Sequence, residues 1–117
     1  MRNLVVIIAL AIGSVVYAQS KETKFEKVGD LVKATYYYDN GKIKTEGFFK
    51  DKKLTGKWVS YNKAGVKTSI ANYEAGKKVG KWIVWTKNGI KEIIYDNNIV
   101  QNVKVINEDT GVAINNE

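Results

Sequence analysis

Short segments in which apolar residues alternate with polar ones follow one another along the chain from residue 32 to residue 106. Three of these segments, 35–38, 58–61 and 82–85, are rich in aromatic and β-branched residues, and each leads into a turn segment that ends in Gly. An Asn-Gly pair between two such segments favours a β-hairpin, because both residues tolerate a positive φ. After residue 18, no window keeps the 3.6-residue period of an amphipathic helix. The pattern therefore predicts an all-β fold.

The strand segments belong to an internal repeat whose marks recur 24 positions apart. The marks that share this period are Asn40-Gly41 with Ala64-Gly65 and Asn88-Gly89, Gly56-Lys57-Trp58 with Gly80-Lys81-Trp82, Tyr37 with Tyr61 and Trp85, and Phe49 with Tyr73. Each repeat contains one hairpin, and a second turn, at 50–56 and again at 74–80, joins it to the next. The repeat predicts a single-layer antiparallel meander of about seven strands.

Aromatic residues recur at fixed positions of the repeat, so we expect them to form a ladder of contacts across the strands. Gly47 and Ala71 are equivalent small residues, and each leaves room for an aromatic ring to lie over the backbone. We interpret the ladder as the core of the sheet, and a stacking platform for sugars or bases is the alternative. The predicted ladder residues are Tyr37, Phe49, Trp58, Tyr61, Tyr73, Trp82 and Trp85.

The segment 1–18 has the three parts of a secretory signal peptide. Arg2 supplies the positive charge, the segment 4–16 is almost entirely apolar, and 16–18 ends in a small residue suited to cleavage after Ala18. The apolar segment is short of the roughly 20 residues that span a bilayer. No Cys follows it, which excludes a lipid anchor there. We therefore predict a secreted or periplasmic protein with a polar leader at 19–31, a repeat sheet at 32–106 and an acidic, frayed tail at 107–117.

Composition removes most catalytic chemistry, because the chain has no His and no Cys. Without them it has neither the commonest general base nor a thiolate nucleophile, and no zinc site of the usual kinds. No Ser-His-Asp or Cys-His arrangement can be built. We predict a protein that is not an enzyme and that has no cofactor, no metal and no catalytic residue.

Charge is concentrated in the repeats. Residues 42–91 hold 13 Lys and 3 acids, whereas residues 92–117 hold 1 Lys and 5 acids. Alternate turns of a meander lie at the same end of the strands, so we expect one basic edge that could bind anionic lipid or another polyanion. The alternative is that these lysines keep the turns soluble. Nucleic acid is not an expected partner. The predicted basic edge consists of Lys50, Lys52, Lys53, Lys57, Lys77, Lys78 and Lys81.

The segment 46–58, EGFFKDKKLTGKW, resembles the MORN repeat, and the segment 70–82, IANYEAGKKVGKW, is similar to it. The second copy has Ile70-Ala71 in place of Glu-Gly, and the first has Lys52 where the family has a mid-turn Gly. The resemblance is to the bacterial MORN variant met in antitoxin-like proteins, and it covers about residues 32–100. It implies a sheet of hairpin repeats that acts as a scaffold or partner-binding module, with no family-wide catalytic residues.

The resemblance leaves several functions open. The first is an interaction or scaffold module with an unidentified protein partner, and the second is an antitoxin or immunity protein that neutralises an exported toxin. The third is attachment of the basic edge to an anionic membrane surface. Short secreted chains of this type also resemble flavobacterial proteins that carry the name nicotinic acid mononucleotide adenylyltransferase. That chemistry needs a His-x-Gly-His motif on an α/β fold, which this chain lacks.

Overall fold

The computed structural model describes residues 22–107 and 113–116, so the predicted signal peptide lies outside the described residues. These residues form ten strands and no helix. No helix in this part of the chain is long and apolar enough to cross a membrane. The strands are β1 (Lys24–Val28), β2 (Leu31–Tyr37), β3 (Ile43–Lys50), β4 (Lys53–Tyr61), β5 (Lys67–Glu74), β6 (Lys77–Lys78), β7 (Gly80–Thr86), β8 (Gly89–Asp96), β9 (Ile99–Asn107) and β10 (Ala113–Asn116).

All strands belong to one open antiparallel sheet in which neighbours in the chain are neighbours in space. The order is β1-β2-β3-β4-β5-β7-β8-β9-β10, and the two-residue β6 pairs with β5 just before β7 begins. No second layer covers either face in the described part of the chain. The prediction of an all-β, single-layer antiparallel meander is therefore confirmed.

The sheet is longer than the repeats predicted. Lys24–Val28 pairs with β2 within the segment assigned to a polar leader, and Ala113–Asn116 pairs with β9 within the segment assigned to a frayed tail. All five residues of β1 are exposed. Strands at the edge of a sheet are held by backbone hydrogen bonds, so they need no pattern of apolar side chains. For that reason the sequence did not reveal them.

The hairpins of the meander close through turns of different kinds. Between β3 and β4, Asp51 and Lys52 both have positive φ (50° and 67°), as in a two-residue type I′ turn, and Asn97-Asn98 is similar (54° and 74°). The Asn-Gly segment is different, because the Gly41 N–H donates to the Tyr38 carbonyl and only Gly41 of the pair has positive φ. The hairpin predicted at this pair forms between β2 and β3, although Asn40 does not take a positive φ. The segment is a longer loop whose Gly supplies the left-handed residue.

The core is a single row of small residues covered by indole rings. Ala34, Trp58 and Ala71 are the buried apolar residues of the described chain, with exposures of 0, 8 and 9%. Trp58 lies over Gly47, and its indole N–H donates to the Phe48 carbonyl at 3.0 Å. Because Gly47 has no Cβ, the ring can rest directly on the backbone of β3.

The second repeat copies this contact. The Trp82 indole N–H donates to the Asn72 carbonyl at 3.0 Å, and residue 72 is 24 positions after residue 48. Gly56 and Gly80, two residues before each Trp, have φ of 69° and 67°. The Gly-x-Trp spacing thus marks a left-handed residue followed by an indole that packs on the preceding strand.

Candidate functional site

One face of the sheet, here called the aromatic face, carries a continuous chain of ring contacts. Trp58 contacts Phe49 and Tyr73 edge-on, with centroids 5.1 and 6.4 Å apart. Trp82 continues the chain to Tyr73 at 5.2 Å and to Tyr95 at 5.0 Å. On the other side, Tyr36 stacks on Trp58 and meets Phe25. The aromatic face is Phe25, Tyr36, Phe49, Trp58, Tyr73, Trp82 and Tyr95.

The aromatic face differs from the predicted ladder. Phe49, Trp58, Tyr73 and Trp82 belong to it. Tyr37, Tyr61 and Trp85 occupy strand positions of the opposite parity, so they lie on the other face. Sequence reasoning missed Phe25, Tyr36 and Tyr95. They could be recognised only from the pairing register, because the register shows which residues of neighbouring strands share a face with Phe49 and Trp58.

The opposite face, here called the aliphatic face, has a row of half-buried apolar side chains. Val59 pairs with Ile70, and Ile70 pairs with Ile83, so the three lie side by side on adjacent strands. Two residues after Ile83, Trp85 is 37% exposed. Within the described residues no chain segment packs over this row.

A shallow cavity of about 250 Å³ continues the aliphatic face toward the turn between β7 and β8. Trp85 pairs with Ile90 and Ile90 pairs with Ile106, so one wall of the cavity is apolar. The cavity is lined by Trp85, Thr86, Gly89, Ile90 and Ile106. Its size and its apolar lining suit one inserted apolar side chain from another molecule.

Polar contacts on the aliphatic face centre on Glu46. The Tyr61 hydroxyl donates to Glu46 Oε2 at 2.8 Å, and Lys33 Nζ lies 3.9 Å from Glu46 Oε1. The hydrogen bond to Glu46 raises the pKa of Tyr61, with smaller contributions from burial and from the charge of Glu46. Glu46 therefore fixes the Tyr61 ring beside the Val59 row. On the aromatic face, burial raises the pKa of Tyr73, with a smaller effect of Tyr95.

The structure brings together five of the seven lysines of the predicted basic edge. The turn between β3 and β4 lies beside the turn between β5 and β6, because the Gly76 N–H donates to the Leu54 carbonyl at 2.9 Å. The turns 29–30, 51–52, 75–76 and 97–98 form this end of the strands, here called the Asp-Lys end. With the residues that flank these turns, this end holds Lys27 and the five predicted lysines Lys50, Lys52, Lys53, Lys77 and Lys78.

Lys57 and Lys81 are elsewhere. They lie within β4 and β7 on the aliphatic face, and Lys81 Nζ is 3.9 Å from Glu92 Oε1. Lys78 also has a second role, because its Nζ lies 5.2 Å from the rings of Trp82 and Tyr95. Four acids share the Asp-Lys end with its six lysines, so the net charge of its described residues is +2. These acids are Asp30, Asp51, Glu74 and Asp96.

The opposite end of the strands is the more basic one. It consists of the loops 38–42, 62–66 and 87–88 with their flanking residues and is here called the Asn-Gly end. The ring centroid of Tyr38 lies 5.8 Å from Nζ of Lys44, in β3, and 5.9 Å from Nζ of Lys63, in the loop 62–66. Among the described residues of this end, five lysines stand against one acid, Asp39, which gives a net charge of +4. The lysines are Lys42, Lys44, Lys63, Lys67 and Lys87.

Among the described residues no group of three or more Asp, Glu, His or Cys side chains could hold a metal ion. The surfaces that the structure does present are two faces of an open sheet and two differently charged ends. The fold and these surfaces define a β-hairpin repeat protein of the open-meander type.

Residues 32–51 match the MORN repeat variant family. These residues comprise β2, the first Asn-Gly loop and β3. MORN repeats are generally non-catalytic and commonly mediate interactions with proteins or membrane lipids. No curated protein and no solved structure shows significant similarity to the chain.

Proposed function

We propose that this protein is a secreted or periplasmic, non-catalytic scaffold that holds a protein partner on its aliphatic face. The observation that carries the proposal is the uncovered row Val59, Ile70 and Ile83, which continues into the cavity beside Trp85. A half-exposed apolar surface next to a pocket for one side chain is typical of a protein interface with an anchoring residue.

Polar groups around the row would give the interface its specificity. Glu46 and Glu92 each have a lysine within 3.9 Å on the same face, and the Tyr61 ring is held by its hydrogen bond to Glu46. An apolar centre with charged groups at its margin is the usual arrangement of a protein interface. The partner therefore has an exposed apolar or aromatic side chain for the cavity, flanked by polar groups.

Substitution of Ile70 by Lys tests the proposal, because it places a charge in the middle of the row. The matched control is Val66→Lys, which adds the same charge at a residue 59% exposed in a loop. In pull-downs from envelope extract, we expect a partner that the wild type and Val66→Lys retain and that Ile70→Lys loses. Equal recovery with all three proteins, or no enriched protein with any of them, would contradict the proposal.

Export and the antitoxin role are separate parts of the proposal. Export is supported by the signal peptide predicted at residues 1–18, and the intact mass of the exported chain tests it, with Gln19 expected as the first residue. In the antitoxin form of the function, the partner on the aliphatic face is an exported toxin. A toxin gene next to this one would support that form, and a neighbourhood without one would count against it.

A second candidate function is attachment to an anionic membrane surface, now at the Asn-Gly end. It is supported by the net charge of +4 on the described residues of that end, compared with +2 at the Asp-Lys end. Lysines on the exposed loops 38–42, 62–66 and 87–88 could approach lipid headgroups together, because these loops lie at one end of the strands.

Liposome co-sedimentation with and without anionic lipid separates the two ends. The triple variant Lys42→Glu, Lys63→Glu and Lys87→Glu is expected to lose binding to anionic vesicles. Its control reverses the same number of charges at the Asp-Lys end, at Lys52, Lys53 and Lys77, and is expected to keep most of the binding. Binding that is unchanged in the first variant, or equally weakened in both, would rule out the Asn-Gly end as the membrane surface.

A further inference from the structure

The aromatic face stops at an exposed residue on an edge strand. Phe25 of β1 contacts Tyr36 with centroids 6.5 Å apart, yet it is 61% exposed. Among the described residues, β1 has a neighbour on one side only, which is β2. Its outer side therefore presents backbone N–H and C=O groups that a further strand could pair with.

The phase of the hydrogen bonds identifies the backbone groups that point outward. Val28 and Leu31 flank a two-residue turn, so they form a hydrogen-bonded pair. Hydrogen-bonded and non-hydrogen-bonded pairs alternate along an antiparallel ladder. Counting back from Val28, the backbone groups of Phe25 and Lys27 point away from β2. An added strand must therefore bond to these two residues.

The side chains of β1 are complementary to a second copy of β1 in one register. When two copies pair antiparallel about Phe25, the two Phe25 residues form a hydrogen-bonded pair at the twofold axis. Lys24 of each copy then lies opposite Glu26 of the other. Thr23 lies opposite Lys27, and Glu22 lies opposite Val28, so no like charges face each other.

Neighbouring registers are worse. Centring the pair on Glu26 places two carboxylates opposite each other, and centring it on Lys24 or Lys27 places two ammonium groups opposite each other. In the favoured register, Lys24 and Glu26 form non-hydrogen-bonded pairs, where cross-strand side chains approach most closely. Lys24 and Glu26 already lie 3.4 Å apart within one strand, on the same face. The twofold pairing therefore makes a ring of four alternating charges.

We propose that two copies of the chain join through β1 to form a symmetric dimer with one continuous sheet. The twofold axis is perpendicular to the sheet, so both aromatic faces lie on the same side and meet at Phe25. Both aliphatic faces lie on the other side, and the dimer presents the partner surface twice. The dimer does not depend on the proposed function, because none of its contacts uses the aliphatic row or the lysines of the strand ends.

Charge exchange tests the register. Lys24→Glu and Glu26→Lys each place like charges opposite each other twice in the dimer, so each variant alone is expected to dimerise about tenfold or more weakly than the wild type. An equimolar mixture of the two variants restores both opposite-charge pairs in a mixed dimer. The double variant restores them in every dimer. Analytical ultracentrifugation over a concentration series measures all five samples, including the wild type.

The expected result is a concentration-dependent dimer for the wild type, the mixture and the double variant, with weaker association of each single variant. A wild type that stays monomeric throughout, single variants that dimerise as well as the wild type, or a mixture that recovers nothing would each overturn the proposal. Circular dichroism of each variant checks that the sheet is intact.

A disulfide test does not depend on charge. The chain has no Cys, so a single introduced Cys can form a disulfide only between copies. Phe25→Cys places two thiols opposite each other at the twofold axis, whereas Lys27→Cys places each thiol opposite Thr23. We expect Phe25→Cys to form a covalent dimer much faster under mild oxidation. Equal rates for the two variants would contradict this register.

Discussion

Gly47 shows how one residue without a side chain fixes the position of the largest core residue. An added Cβ would lie within the Trp58 ring, so the indole can occupy its place only over a Gly. Trp58 is 8% exposed and contacts Tyr36, Phe49 and Tyr73. Displacing it would disturb the centre of the aromatic face.

Gly47→Ala is therefore expected to destabilise the protein by about 1–3 kcal/mol, the usual cost of overpacking a core. Urea unfolding of the wild type and the variant measures the change. In a Trp58→Leu background, the same substitution should cost much less, since the clashing ring is gone. Equal costs in the two backgrounds would show that the ring is not the cause.

The contact between Tyr61 and Glu46 makes the stability of the sheet depend on pH in the alkaline range. The pKa of Tyr61 is above its ordinary value of 10.0 in the folded chain, chiefly because its hydroxyl donates to the Glu46 carboxylate. A group whose pKa is raised by folding stabilises the fold below its unfolded pKa. That stabilisation is lost as pH rises through the folded pKa.

The hydrogen bond is partly buried, so Tyr61→Phe is expected to cost about 1 kcal/mol near neutral pH. The difference in the free energy of unfolding between wild type and Tyr61→Phe should shrink as pH rises above the ordinary value of 10.0. In Glu46→Gln the tyrosinate absorbance of Tyr61 should appear at lower pH than in the wild type. A tyrosinate titration that is the same with and without Glu46 would contradict this assignment.

At the scale of the element, the turns at the Asp-Lys end place non-glycine residues in a left-handed conformation. Lys52 has a φ of 67° and Ala75 a φ of 51°, whereas Gly76 supplies the second position of its own turn with a φ of 83°. Left-handed backbone costs an L-residue roughly 1–2 kcal/mol. Gly avoids this cost, although it increases the entropy of the unfolded chain.

Lys52→Gly is therefore expected to raise the free energy of unfolding by about 0.5–1 kcal/mol. Lys53→Gly is the matched control. It removes the same charge one residue later, at the first position of β4, where Gly weakens a strand. Thermal and urea unfolding measure both variants. If Lys52→Gly is no more stable than Lys53→Gly, the left-handed conformation of residue 52 does not lower the stability of the wild type.

At the scale of the whole molecule, contacts between adjacent strands hold the sheet together, and one compact core does not. Each strand pairs only with the strands beside it, and each ring on the aromatic face contacts only rings of nearby strands. In such repeat architectures stability is close to a sum of local terms between neighbours. A local substitution should therefore loosen one part of the sheet.

Tyr95→Ala removes the ring that packs on Trp82 at one side of the aromatic face. Native-state hydrogen exchange is expected to show amide protection in β7 to β9 falling by about tenfold, while β2 to β4 change little. Tyr36→Ala should produce the opposite pattern, with the loss in β1 to β3. Protection that falls evenly over the whole sheet in both variants would contradict this independence.

The repeat carries enough information in the sequence to predict the fold class and part of the candidate surfaces. Gly56 and Trp58 recur as Gly80 and Trp82 because each repeat needs a left-handed residue before an indole that rests on the preceding strand. Strand and turn segments are local, so their signals lie in adjacent residues. The meander followed from them, because consecutive hairpins pair with their neighbours.

Which side chains share a face was decided only by the tertiary structure. Tyr36, Tyr37 and Tyr38 are adjacent and chemically identical, so the strand register alone places Tyr36 on the aromatic face. The sequence also did not show the edge strand β1, because backbone pairing leaves no mark in the local sequence. Nor did it show that four acids lie among the lysines of the Asp-Lys end, because these acids come from turns that are distant in the chain. The sequence by itself determined the repeat and its strands, and the pairing of those strands determined the surfaces.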